Sequence, residues 1–344
     1  MRRLSSQVYG IGALVAATLS VPALLGDSAL SLYVLLALTA TVTVGVSLLM
    51  GHAGQVSLGQ GAFYACGAYA AGLLSTHGCP GLVALLAAPL AAATLSVVVG
   101  VPLLKLRGHY LAFATLATHL ICLSAIGELR TLTGGDIGLQ GIPRLSVGPL
   151  ELDSDRYYAV LAWAALWTVI LTARNILASR PGRALRALST SEVAAASSGV
   201  PVGRYKLAVF ALSAGFAGLA GGIYAFYLGY LAPGSFPVLL SIEYVVMAVV
   251  GGLGTISGGL VGSAIVVMLV QVLTRVATAS GMPSTAPAIF SYAVYAVLLI
   301  LAVLFLPDGV VPVLVAVWTR LRERRPSAAA RERRSRSRER GPPV

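Results

Sequence analysis

GRALRALSTSEVAAASSG, running from Gly182 to Gly199, is the one long polar stretch of this chain that reads as a helix and has apolar segments on both sides long enough to cross a bilayer. Ala184, Leu185, Leu188 and Ala195 give it an apolar side, while Arg183, Arg186 and Glu192 stay wet. It continues through PVGRYK (201–206) into the apolar segment that begins at Leu207. An amphipathic helix of this kind either lies on lipid headgroups or docks into a groove of a partner. Its length and its position after six apolar segments favour a partner.

Composition sets the solvent. Of 344 residues, 57% are hydrophobic and 10% charged, against roughly a quarter charged in soluble proteins. A spanning helix takes roughly 20 mostly apolar residues, and about ten such segments fit here. The expected fold is therefore all-α and polytopic. The net charge of +12 is concentrated: ten arginines and three glutamates lie between Arg320 and Val344. Such a tail fits the positive-inside rule and anionic lipid better than nucleic acid, which is not expected as a partner. The division is a transmembrane part over 1–318, with a polar loop at 174–206, and a basic, disordered tail over 319–344.

Taken in order, the expected spans are Val8 to Leu25, an uncleaved first helix rather than a signal peptide, and then Leu30 to Met50. Leu82 to Leu104, His109 to Gly127, Tyr157 to Ala173 and Leu207 to Leu228 follow, and Ile289 to Leu306 comes last. Lys105, Arg107, Arg174, Arg180, Arg183, Arg186, Arg204 and Lys206 fall on one side, with both termini. By the positive-inside rule that side is cytoplasmic. Glu128 to Arg156, rich in acids, is the outer segment. On the seventh span Ala214, Gly218 and Gly222 form a small-residue face suited to close helix crossing.

Two apolar regions are too rich in glycine for plain spanning helices. GHAGQVSLGQGAFYACGAYAAG (51–72) serves either as a tight helix crossing or as backbone lining a path. GGLGTISGG (251–259) divides the long run from Glu243 to Leu273 into two helices. Within them, GQVSLG (54–59) and GTISGG (254–259) share the pattern G-x-[VI]-S-x-G. Glycine-interrupted segments in matching places of two halves point to an internal, inverted-repeat-like organisation around a central path.

Chemistry of other kinds is missing. The chain has two lysines, Lys105 and Lys206, and neither follows glycine, so a GxxxxGK[ST] phosphate loop is excluded. No cofactor or metal is expected: Cys66, Cys79 and Cys122 are unpaired in spacing, and His52, His77, His109 and His119 lack metal-ligand spacing. Glu128 and Glu243 at span edges, with His109 and His119 on one helix, are a thin basis for ion coupling. The chain reads as a transporter part, not an enzyme.

Several segments, in order, resemble one family. They are GHAGQVSLGQGAFYACGAY, LRGHYLAFATLA, TGGDIGL, GRALRAL with AAASSGV, RYKLAVFALSAGFAGLAGGIYA and SIEYVVMAVVGGLGTISGGLVGSA. Together they look like the LivM-type membrane permease of branched-chain amino-acid ABC importers, over about Leu30 to Leu306. The resemblance implies a bacterial inner-membrane subunit translocating leucine, isoleucine and valine. Implied partners are a second related permease, two cytoplasmic ATPases that use ATP and Mg, and an extracytoplasmic binding protein. Related permeases carry urea, short amides or other amino acids. The resemblance makes Gly182 to Gly199 the ATPase-coupling segment, through Gly182, Arg183, Arg186, Glu192 and Gly199. For the path the candidates are Gln55, Ser57, Gly59, Tyr110, Thr115, Gly251, Gly252 and Gly254. Ser189, Thr190, Ser191 and Ala196 depart from the charged residues common in relatives.

Overall fold

The computed structural model describes residues 15–147 and 150–279, with isolated positions 12, 293, 294, 296, 297, 300 and 309–313. The expected first span is described only in its second half, where 15–20 is helical. The last span falls outside the described residues apart from isolated positions, and the tail 319–344 lies outside them altogether.

The elements follow from apolar runs punctuated by glycine and proline. Helix α1 (Asp27–Ala53) ends at Gly54, whose φ of +63° is the left-handed cap that glycine takes without a Cβ penalty. A helix-free stretch then leads to α2 (Gln60–Thr76). Next come α3 (Gly81–Leu103), α4 (His109–Glu128) and α5 (Asp155–Ala178). The polar stretch folds as α6 (Arg180–Thr190) and α7 (Glu192–Ser197). Three long helices follow: α8 (Val202–Leu228), α9 (Val238–Gly251) and α10 (Ile256–Ala279). Between α4 and α5 the chain makes a small hairpin pairing Ser146–Val147 with Leu150–Glu151. Otherwise the described regular structure is helical, apart from one isolated bridge.

Among the described residues, seven helices are long and apolar enough to cross a membrane: α1, α3, α4, α5, α8, α9 counted from Pro233, and α10. At 17 residues, α2 reaches roughly 25 Å, short of the ~30 Å hydrocarbon core. The expected count of about ten therefore stands as an expectation. The division at 251–259 occurs where glycine placed it, with α9 ending at Gly251 and α10 starting at Ile256. Glu243 was expected at a span edge, but α9 starts earlier, after Pro237, and Glu243 lies inside it.

Burial concentrates on α1, α2 and α8. Helix α8 packs on α2, α3 and α1, while α1 also packs on α5, α9 and α10. Small residues permit this. A Cβ on Gly218 would come within 2.5 Å of the Ala92 Cβ, and one on Gly222 within 2.7 Å of the Ala88 Cβ. The small-residue face of α8 is thus its crossing with α3. At the end of the bundle away from α6, Leu139 and Leu231 form a bridge, and the Leu145 N–H donates to the Tyr158 hydroxyl at 3.0 Å.

Candidate functional site

The glycine-rich interruptions come together where α1 and α9 end. Gly51, in the last turn of α1, lies against Gly254, so that a Cβ on Gly51 would overlap the Gly254 backbone. Gly54 and Gly254, the first residues of the two matching patterns, both have positive φ, +63° and +83°. Gly252 has φ +114° and closes α9, and a Cβ on Gly251 would overlap the Gly258 carbonyl. Backbone therefore meets backbone where side chains would have no room.

Around the first interruption sits a buried polar cluster. The Leu58 N–H donates to Thr115 Oγ1 at 2.9 Å, and a Cβ on Gly59 would press on the Thr115 carbonyl at 2.9 Å. Gln60 Nε2 donates to Ser213 Oγ at 3.1 Å, and the Gly61 N–H donates to Ser241 Oγ at 2.9 Å. That Ser241 hydroxyl lies 2.9 Å from His119 Nδ1. The N-terminal turns of α2 and α9 thus meet midway along α4 and α8, and each brings the positive end of its helix dipole. Gln55, only 1% exposed, has no hydrogen-bond partner on either amide atom, and Gln60 Oε1 has none. Leaving a buried polar atom unsatisfied costs about 1–3 kcal/mol, so a water or a ligand group reaching these atoms would be stabilised. Tyr64, Tyr224, Phe236 and Tyr244 pack next to the α2–α9 crossing, with ring centroids of neighbouring pairs 5.5 to 6.3 Å apart.

Of the residues expected on a path, Ser57, Gly59 and Thr115 gather at this cluster, Gln55 is buried just after α1 with its N–H on the Leu49 carbonyl, and Gly251, Gly252 and Gly254 lie at the other break. Tyr110 does not join them: it is 76% exposed. It precedes Thr115 by five residues, about 140° around a helix of 3.6 residues per turn. It therefore shares no face with buried Leu111, Thr115, Thr118 and His119. The path candidates did not include Gln60, Ser213 and Ser241, and His119 was considered only for ion coupling. A buried polar residue inside an apolar span was the available signal, most clearly for His119.

At the basic end of the bundle, α6 and α7 are held by three devices. Gly182 is buried where a Cβ would overlap the Ile176 and Leu177 carbonyls at the end of α5. Arg186 donates to the Leu177 carbonyl at 3.0 Å, satisfying an acceptor that the helix end leaves free. Lys206, 8% exposed, pairs with Glu192, while Ser191 caps α7 by accepting from the Ala194 N–H at 3.3 Å. Leu185, Leu188 and Ala195 are buried, with α6 packed against α5 and α1. The apolar side expected to face lipid or a partner is instead used within the chain. What faces away is Arg183, Ala187, Val193, Ala194 and Ala196, with Val193 78% exposed. Gly199, φ +80°, turns the chain toward α8.

A family model described as the permease component of the branched-chain amino acid transport system matches residues 27–303. The chain belongs to that family. Two relatives are described as high-affinity branched-chain amino acid transport system permease protein LivM, from Escherichia coli (strain K12) and Salmonella typhimurium (strain LT2). Each is 34% identical over 248 residues, which is 65% of this chain and 57% of the relative. The chain thus spans little more than half the length of these relatives. No solved structure matches it. This permease is a multi-pass membrane protein, and both glycine breaks and the α6–α7 pair lie within the region the family model covers.

Proposed function

We propose that this permease is the membrane-spanning subunit of an ATP-driven importer of leucine, isoleucine and valine in the bacterial inner membrane, with α6 and α7 on the cytoplasmic side. A second permease, two ATPases and an extracytoplasmic binding protein complete the assembly. The observation that carries the proposal is the orientation of the α6–α7 pair. Its apolar side is anchored on α5 and α1, and its outward side ends in exposed Val193. A push from an ATPase on that side passes through Gly182 and Arg186 to α5. It also reaches α1, which ends at the Gly54 break. Reversing a 1:99 equilibrium takes about 5.5 kcal/mol of differential binding, which ATP binding at the partner supplies. The chain's own part is to transmit it.

The cargo's path runs by Gln55, Ser57, Gly59 and Thr115. There the N-terminal turns of α2 and α9 suit the carboxylate of an amino acid, and the Gly251–Gly254 break forms its other wall. The family description and the printed names of the relatives support branched-chain amino acids over urea or short amides. Reconstitution with and without the ATPases tests the reading. ATP-dependent leucine uptake only in their presence is expected. Uptake by this chain alone, abolished by an uncoupler, would show an ion-driven carrier instead.

A further inference from the structure

A groove of about 390 Å³ opens on the flank of the bundle between α3, α5 and α8. Ala208, Ala211, Gly215 and Leu219 supply the α8 wall. The groove follows α8 for roughly 16 Å at 1.5 Å per residue. The glycines of α8 set it apart from the helix crossings. Gly218, Gly221 and Gly222 are pressed against neighbouring helices, but a Cβ on Gly215 would meet nothing nearer than 3.5 Å. Gly215 is not needed for helix approach, and its smallness keeps the groove open.

The α5 wall offers no polar contact either. Thr168 and Thr172 spend their hydroxyls on the Ala164 and Thr168 carbonyls, at 2.8 and 2.7 Å, so methyl groups are left to line the groove. One turn before Ala208, on the same stripe of α8, stands exposed Arg204. Helical side chains lean toward the helix N-terminus, which carries its guanidinium away from the apolar wall toward the basic end. The ion pairs among the described residues are Arg144–Asp153 and Lys206–Glu192, so no carboxylate of the described chain neutralises it.

We infer that this groove holds an acyl chain of an anionic phospholipid, with Arg204 on its phosphate. An apolar trough at membrane depth ending in an unpaired cation matches the two ends of such a lipid. The inference concerns the membrane-facing flank and does not depend on what is transported.

The full chain, purified in detergent and stripped of lipid, is offered equal amounts of phosphatidylglycerol and phosphatidylcholine, and bound lipid is counted by native mass spectrometry. The wild type is expected to retain phosphatidylglycerol preferentially. Gly215→Leu, which fills the groove, loses that retention. Arg204→Gln reduces the preference about fivefold, the worth of one basic side chain near an anionic surface. If Gly215→Leu does not fold, Ala208→Leu fills the groove from its exposed end and carries the same expectation. Equal retention of the two lipids by the wild type, or undiminished phosphatidylglycerol on the filled groove, would overturn the inference. So would capture of the second permease on this flank of the assembled importer, lost in Gly215→Leu while lipid is retained, which would assign the flank to a second protein.

Discussion

Gly51 of α1 and Gly254 between α9 and α10 touch backbone to backbone, with no room for a Cβ between them. About 200 residues separate them in sequence, and each belongs to a glycine-rich interruption of an apolar run. Gly51→Ala should therefore cost on the order of 1–3 kcal/mol through overpacking. Gly203→Ala, where nothing lies within 4 Å, should be neutral or gain roughly 0.5–1 kcal/mol of helix preference. Thermal unfolding of the two variants in one detergent checks the contrast. Equal melting temperatures would show that the two breaks do not meet.

Gln55 gives the sharper test of the path. Both its amide atoms are buried without partners, so Gln55→Leu removes a desolvation cost and should leave stability unchanged or higher by about 1 kcal/mol. Uptake by the assembled importer should nevertheless fall at least tenfold if that amide serves the cargo. Full uptake in a stable Gln55→Leu protein would take Gln55 off the path.

The Lys206–Glu192 pair ties α7 to α8. Glu192 is 39% exposed at its side chain, so solvent screens the pair and its worth is about 1 kcal/mol or less. Lys206→Met should barely move the melting temperature but should loosen α7. Faster proteolysis at 189–200, with uptake reduced and restored by neither salt nor extra ATP, is the expected result. Unchanged proteolysis would mean the pair holds nothing in place.

How much of this the sequence carried depended on range. Helices α1, α3, α4, α5 and α8 were legible because roughly 20 apolar residues in a row have few other uses. The split before Ile256 was legible because Gly252 and Gly254 adopt positive φ. Thr115 and Gly59, both path candidates, lie against each other, but Ser213 and Ser241 were not among the candidates. Their partners Gln60 and Gly61 lie more than 150 residues away, and only the packed bundle joins them. Tyr110 was chosen from its motif as a string, and the helix turns it to an exposed side of α4, away from Thr115. The amphipathic side of α6 was recognised, but its direction was not, since the chain itself supplies the apolar surface on α5 and α1.

Val193 is a large apolar side chain on the outward side of α7 with nothing among the described residues covering it. Val193→Asp should leave the melting temperature within roughly 0.5 kcal/mol of wild type, as exposed substitutions do. ATP-driven uptake should fall while the protein still inserts and folds. Wild-type uptake would remove Val193 from the contact.

Force entering through the α6–α7 pair is tested most directly by cross-linking from that side chain. With Cys66, Cys79 and Cys122 replaced, Val193→Cys carrying a short photoreactive probe is assembled with the ATPases in membranes. The account predicts capture of an ATPase subunit, with a yield that changes when ATP is added. Capture of lipid alone, or of no nucleotide-binding subunit in either state, would contradict it.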